Sequence, residues 1–296
     1  MSPPEISARA REIERQFRSM PQTAEFDLEQ ERQNTRDAHV LTGVPKDVLM
    51  EWDTIAGLRC IRLRPQRARA DRQVIFLHGG AYCLMSAMTH HRFGGHIANA
   101  AEAEVIVPDY ALAPEAPYPQ ARNECRAVVE ACRADGLRRL ILAGDSAGGG
   151  LALAVACVLR DAAMAGPDAL VLMSPWLDLS LSGPRLQADQ IDDPILSKRN
   201  LQILADLYRG DIPAVDAGVS PLFADLSNLP PLLVQKAQKD LLAEDAERLA
   251  ARWPNPDRVT LEAYPGMLHS FQMFAGDMPE ADHAVSQISV FLNRVL

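Results

Sequence analysis

The sequence predicts an α/β protein in which a mainly parallel sheet is covered on both faces by helices. Apolar runs of strand length recur at residues 74–78, 105–109, 140–143, 170–173, 232–236 and 259–264, and near-continuous apolarity is expected of strands buried on both faces. Helical stretches at 120–134 and 151–159 and from residue 280 onward alternate with these runs, the order that builds parallel sheets. The run at 140–143 also breaks into Gly144-Asp145-Ser146-Ala147-Gly148 and resumes as the apolar LALAVACVL of 151–159, so strand, turn and helix follow one another without a linker.

At 296 residues the chain fits one large α/β domain with a small addition, and a chain of this size buries roughly three quarters of its unfolded surface. A net charge of −9 argues against nucleic acid or an anionic membrane as partner. The local exception is residues 59–72 with six arginines; lacking interleaved aromatics for bases to stack on, this stretch is expected to be a solvated edge strand and loop. Five cysteines without CxxC spacing suggest neither a disulfide framework nor a zinc site and fit a reducing compartment. The Ser2-Pro3-Pro4-Glu5 start has no apolar core of the signal-peptide kind, and residues 151–159 are too short to span a membrane. A cytoplasmic protein without stable membrane insertion is expected. Oligomeric state is not written in the sequence, with which a homodimer is compatible.

Taken in order, Ile6, Ala10, Ile13, Phe17 and Met20 share one helical face. Residues 27–38 continue in helical fashion after Pro21, with too little apolar surface to stand alone. Residues 1–47 are therefore expected to form a helical cap segment laid over the main domain as a wall above Ser146. Two strands around Gly57 form an edge hairpin over 48–63. The strand at 74–78 runs into Gly79-Gly80-Ala81-Tyr82, and the strand at 105–109 into a proline-rich, rigid segment ending at Pro119. Residues 183–220 interrupt the alternation. They contain Gly183-Pro184, Asp192-Asp193-Pro194 and a helix that Ser197 can cap, with Leu201, Leu204, Leu207 and Tyr208 on one side. The expected organisation is thus a cap segment at 1–47, a catalytic core at 48–182 and 221–296, and an inserted cap helix region at 183–220. The last helix carries Ala284, Val285, Ile288, Phe291, Leu292 and Val295 on its apolar face.

Residues 144–148 fit GxSxG, a turn so sharp that the serine takes strained backbone angles and presents its hydroxyl at the tip. Alone, the pattern would occur by chance in roughly one sequence in ten of this length, so its partners must be found. A serine hydroxyl needs a base, and the base needs a carboxylate to hold its tautomer. Of seven histidines, His39, His90, His91, His96 and His283 lie in polar or helical stretches and are expected at the surface, and His78 is expected to brace the glycine loop. His269 follows the last strand, downstream of the serine, and is the candidate base. The carboxylate should sit just past the C-terminal end of a strand, where open parallel sheets build their sites. Asp240 meets that condition after 232–236, and Asp178 is the rival, or else a turn aspartate. Donors for an oxyanion are expected from the N–H groups of Gly79, Gly80 and Ala81, completed by that of Ala147.

These motifs resemble the hormone-sensitive-lipase family of α/β-hydrolases, the bacterial family IV esterases. The resemblance runs from about residue 74 to the C-terminus and rests on HGGAY (78–82), DYALAPEAPYP (109–119), GDSAGG (144–149), SPW (174–176), DLLAED (240–245) and GMLHSF (266–271). It implies an α/β-hydrolase fold with a helical cap and a Ser146, Asp240, His269 triad in the chain order of that fold. It also implies an oxyanion hole from the HGG loop plus Ala147, and a serine carboxylesterase that takes small to medium acyl esters through an acyl-enzyme, with no metal or cofactor. Lactone hydrolysis or amide hydrolysis would use the same residues. A non-catalytic small-molecule receptor on the same scaffold is the alternative of another class; the plant gibberellin receptors resemble this family but lack the histidine that is present here at 269. Ala81 stands where the family often has a third glycine, implying a narrower pocket with the N–H kept. Ala237-Gln238-Lys239 stands before the acid, where a small residue is common, implying a different local loop.

Overall fold

In the computed structural model, which describes residues 6–20, 25–134, 136, 139–187 and 193–296, the apolar runs form one eight-stranded sheet. Its strands are β1 (Val48–Ile55), β2 (Leu58–Pro65), β3 (Arg72–Leu77), β4 (Glu104–Pro108), β5 (Arg139–Asp145), β6 (Ala169–Met173), β7 (Leu232–Ala237) and β8 (Val259–Tyr264). They lie in the order β1-β2-β4-β3-β5-β6-β7-β8. The β1–β2 hairpin and the β2–β4 pair are antiparallel, and every pair from β4 to β8 is parallel. Ser2 to Glu5, Pro21 and Asp192 of the sequence reading lie outside the described residues.

The helices are α1 (Ala8–Ser19), α2 (Leu28–Thr35), α3 (Ala87–Ala101), α4 (Gln120–Ala134), α5 (Ala147–Asp161), α6 (Pro184–Gln187), α7 (Lys198–Arg209), α8 (Ala243–Arg252) and α9 (Pro279–Val295). Successive strand side chains point to opposite faces, so the core divides in two. Ile75, Leu77, Leu142, Leu170 and Val234 pack with α4, α5, α7 and α8, whereas Val74, Phe76, Ile141, Val171 and Leu233 pack with α1, α3 and α9. The inserted helix α7 lies between β6 and β7 in sequence and is capped by Ser197, whose hydroxyl accepts the Asn200 N–H at 3.2 Å. Leu201, Leu204 and Tyr208 are buried as expected, while Leu207 is only partly so. No helix among the described residues is long and apolar enough to cross a membrane.

Four expectations change. Residues 259–264 form an edge strand with only Tyr264 buried, because β8 has a neighbour on one side alone. Arg72, expected in a solvated stretch, is buried and donates to the Ala101 carbonyl at 3.2 Å. Met20 ends the α1 stripe in solvent, 54% exposed. His90 is fully buried and the other four histidines expected at the surface are half-buried. The burial of His90 follows from α3, whose buried face mixes Thr89, His90, Gly94 and Gly95 with Ala87, Phe93, Ile97, Ala98 and Ala101; glycines and polar side chains interrupt that face in a count of apolar residues.

Candidate active site

β5 ends at Asp145 and α5 begins at Ala147, leaving Ser146 alone to turn the chain, at φ 50° and ψ −122°. Such left-handed backbone costs on the order of 1–3 kcal/mol for a non-glycine residue. The surroundings hold it there: the Ser146 N–H donates to the Met173 carbonyl at 2.9 Å, and the Ser146 carbonyl accepts the Trp176 N–H at 2.9 Å. A Cβ at Gly144 would enter the Gly148 carbonyl, and one at Gly148 would enter the Leu77 carbonyl. Both glycines are therefore required for the turn to close.

His269 lies in the loop after β8, with Nε2 2.8 Å from Ser146 Oγ. On its other side Nδ1 is 2.9 Å from Asp240 Oδ2. With Nδ1–H donating to Asp240, Nε2 is free to accept the serine proton. Asp240 is fully buried, and its second oxygen accepts the Leu242 N–H at 2.7 Å. Burial by itself would lower the His269 pKa. The charge and hydrogen bond of Asp240, aided by Asp193 and Asp145, outweigh it and hold the imidazole above its ordinary value. Asp178, the rival acid, is equally buried but faces Ser180, Ser182 and Arg248, with Arg248 Nη1 at 2.7 Å. Its Oδ1 accepts the Ser180 N–H at 2.9 Å, so it is the turn aspartate.

The glycine loop after β3 has positive φ at Gly80 (114°), Ala81 (51°) and Tyr82 (62°). Among the described residues no acceptor is bonded to the N–H of Gly80, Ala81 or Ala147. Gly79 departs from the sequence expectation, because its N–H already donates to Asp145 Oδ1 at 2.9 Å. His78 braces the loop as expected: Nδ1–H donates to the Gly79 carbonyl at 2.8 Å, and the ring stacks on Tyr110 at 4.1 Å. Burial, reinforced by His90, pushes its pKa down to about 3, which keeps it neutral.

A serine, a histidine and a carboxylate in hydrogen-bonded line at the C-terminal edge of this sheet invite comparison with known proteins. Residues 74–273 match the family described as alpha/beta hydrolase fold. The chain belongs to that family. An esterase of Acinetobacter venetianus is 39% identical over 241 residues, covering 80% of this chain and 79% of the relative. An acetyl-hydrolase of Streptomyces hygroscopicus is 33% identical over 246 residues, covering 81% and 82%. Among solved structures, an esterase from the bacterial hormone-sensitive lipase family superimposes with a TM-score of 0.91 at 32% identity, over 99% of each chain. This hydrolase is a carboxylic ester hydrolase, and the resemblance read from its motifs holds.

Several residues that support the hydrolase site escape sequence reasoning. Arg32 of α2 donates to the Cys83 carbonyl at 3.0 Å and the Ala113 carbonyl at 3.0 Å, and pairs with Glu115 at 2.7 Å, tying the N-terminal segment to the glycine loop. It also borders a cavity of about 490 Å³ with Arg36, Met85, Ser86 and Leu112. Tyr208 of α7 stacks on Tyr82 at 3.8 Å. Lys239, the departure before the acid, pairs with Glu14 of α1 at 2.7 Å, and its N–H donates to the Met267 carbonyl at 2.9 Å. Asp193 accepts the Leu241 N–H at 2.9 Å, beside the acid itself. Arg32 left no local sign, whereas Tyr208 stood on the apolar side of its helix, Lys239 marked the departure before the acid and Asp193 lies in the Asp-Pro turn at 193–194; none of these signs named a partner.

Proposed function

We propose that this ester hydrolase works through Ser146 as nucleophile, His269 as base and Asp240 as the carboxylate that orients the histidine, on small and medium acyl esters. The observation that carries the reading is the continuous hydrogen-bonded line from Ser146 Oγ through His269 to Asp240, at 2.8 and 2.9 Å. Ser146 Oγ attacks the ester carbonyl as its proton passes to His269 Nε2. Asp240 stabilises the imidazolium. The N–H groups of Gly80, Ala81 and Ala147 receive the oxyanion, since they have no acceptor among the described residues and Ala147 begins the helix that follows the serine. The imidazolium returns its proton to the leaving alcohol, giving an acyl-enzyme; water, deprotonated by the same histidine, releases the acid. Residues 1–47 and 183–220 act as the cap, supported by Arg32 and Tyr208 on the glycine loop. Nucleic acid has no part in this reading, given the net charge of −9, and a cytoplasmic setting is supported by five cysteines that are all buried. The receptor alternative is disfavoured by a histidine placed within hydrogen-bonding distance of the serine.

The test is a chain-length series of nitrophenyl esters followed at early times, with Ser146→Ala as control. A burst of nitrophenol approaching one equivalent of the enzyme present is expected, with turnover highest on short and medium chains. Ser146→Ala should lower kcat by at least about 10³-fold. Retention of a modest share of activity in this variant would remove Ser146 from the mechanism.

A further inference from the structure

The cavity bordered by Arg32, Arg36, Met85, Ser86 and Leu112 measures about 490 Å³, a size that accommodates a small molecule. Met85 and Leu112 give it apolar walls. Its two cations differ in what they already hold. Arg32 is engaged throughout: Nη1 and Nη2 each lie 2.7 Å from one oxygen of Glu115, Nη2 also donates to the Ala113 carbonyl at 3.0 Å, and Nε donates to the Cys83 carbonyl at 3.0 Å. Both Glu115 oxygens are occupied by that pairing. Arg36, at the C-terminal end of α2, makes no ion pair or side-chain hydrogen bond among the described residues. Ser86 Oγ accepts the Thr89 N–H at 3.2 Å, and its own hydrogen has no acceptor among the described residues. The lining thus sets Arg32 and Arg36 against the single carboxylate of Glu115, on a chain whose net charge is −9.

The cavity also adjoins the oxyanion loop. Met85 is held at φ 66°, and its Cβ is so close to Gly80 that a Cβ on that glycine would lie 3.0 Å from it. Gly80 carries one of the N–H groups assigned to the oxyanion, so one wall of the cavity is built on the loop that receives the reacting carbonyl.

We propose that this cavity takes a carboxylate on a short carbon stem, with Arg36 as the cation that receives it and Ser86 as a second donor. The inference rests on the ester hydrolase reading above and names a substrate class for it: esters with a remote carboxylate, such as half-esters of dicarboxylic acids. Water cleaves such a half-ester to the alcohol and a free dicarboxylate, and that product carries the same recognised group. A carboxylate meets the planar guanidinium of Arg36 with two parallel N–H···O bonds, while the stem covers Met85 and Leu112. A neutral ester of equal length gains the apolar contact alone and leaves Arg36 in water.

The test compares initial rates of acid release from the monomethyl esters of succinate, adipate and suberate with those from the dimethyl esters. Parent, Arg36→Gln and Arg36→Lys are each read as the ratio of kcat/KM for half-ester over diester, so that any general loss cancels. Arg36 is exposed, so neither variant disturbs the core. Arg36→Gln should lower the ratio for the best-fitting chain by about three- to fivefold, the yield of one partly exposed charge pair. The change should lie in KM, because the contact is remote from the reacting carbonyl and equal in ground and transition states. Arg36→Lys should restore part of it, since it keeps the charge without the planar fork. Free adipate should inhibit dimethyl ester hydrolysis by the parent, and Arg36→Gln should weaken that inhibition by a similar factor. An Arg36-dependent ratio assigns the carboxylate to the ester, and Arg36-dependent inhibition alone assigns it to the free acid; either upholds the site. A ratio and an inhibition both unchanged in Arg36→Gln would overturn it. Failure of the hydrolase reading is separate, because it would appear as dimethyl esters left intact by the parent or cleaved equally by Ser146→Ala, whatever stands at position 36.

Discussion

The loops after β6 and β7 each place a buried aspartate just beyond a strand end, and only one of them serves the histidine. Asp178 and Asp240 are 1% and 0% exposed, and each accepts a backbone N–H from two residues on, Ser180 at 2.9 Å and Leu242 at 2.7 Å. They differ in what approaches from elsewhere in the chain. Asp178 meets Arg248 of α8 and two serine hydroxyls, which satisfy it as a structural anion. Asp240 meets His269, brought close because the acid loop is bonded to the loop after β8, with Gln238 N–H to the Tyr264 carbonyl at 3.1 Å and Lys239 N–H to the Met267 carbonyl at 2.9 Å. Two similar local turns thus acquire opposite uses from their distant neighbours.

The comparison breaks most visibly under paired substitution. Asp240→Asn should lower kcat by about 10⁴-fold through loss of the histidine tautomer, while Asp178→Asn should leave kcat per folded molecule within about threefold and instead cost about 1–3 kcal/mol of stability from its lost charged hydrogen bonds. Steady-state rates and denaturant melts on both variants check this, and reversed effects would exchange the two roles.

A pH profile sharpens it next. His269 accepts a proton only when neutral, and its pKa lies above the ordinary 6.5, so kcat/KM should fall as pH drops through a midpoint above that value. Asp240, Asp193 and Asp145 are the negative groups that raise it. Asp193→Asn removes one of them and should move the acidic limb to lower pH, whereas Asp178→Asn should leave the limb in place. An unmoved limb in Asp193→Asn would confine Asp193 to holding the loop.

The smallest expected effect lies at the rim of the acid loop. Glu14→Gln removes the partner of Lys239, a pair with side chains 18% and 38% exposed, and exposed pairs contribute about 0–1 kcal/mol. Thermal melting should fall by a degree or two at most, roughly what such a loss gives in a chain of this size, with kcat hardly altered. A loss of kcat as large as that of Asp240→Asn would mean that α1 orders the acid loop itself.

Truncation before residue 47 is a harsher matter than a change of roof. α1 touches the acid loop through Glu14 and the histidine loop through Phe17, whose ring meets Phe274 edge-on at 6.3 Å, and α2 touches the glycine loop through Arg32. The N-terminal segment is therefore part of the support for each catalytic loop except the elbow.

The sheet, the elbow and the candidates Ser146 and His269 could be read from the residues alone because each rests on short-range rules, and the carboxylate could be narrowed to Asp240 or Asp178. Burial on both faces writes itself as an unbroken apolar run, and a turn too tight for Cβ atoms demands Gly144 and Gly148. A parallel sheet then sends every strand end to the same edge, so catalytic groups can be sought there in chain order. Helix α3 was hidden because Thr89, His90, Gly94 and Gly95 interrupt the apolar residues of its buried face. Which of Asp240 and Asp178 meets His269, the capture of the Gly79 N–H by Asp145, the burial of His90 and the Lys239–Glu14 pair came into view only in three dimensions. Their partners lie far apart in the chain, 66 residues for Gly79 and Asp145 and 225 for Lys239 and Glu14. Local propensity and periodicity extend over a few turns or strand residues; which charges finally meet depends on how the packed layers bring distant loops together.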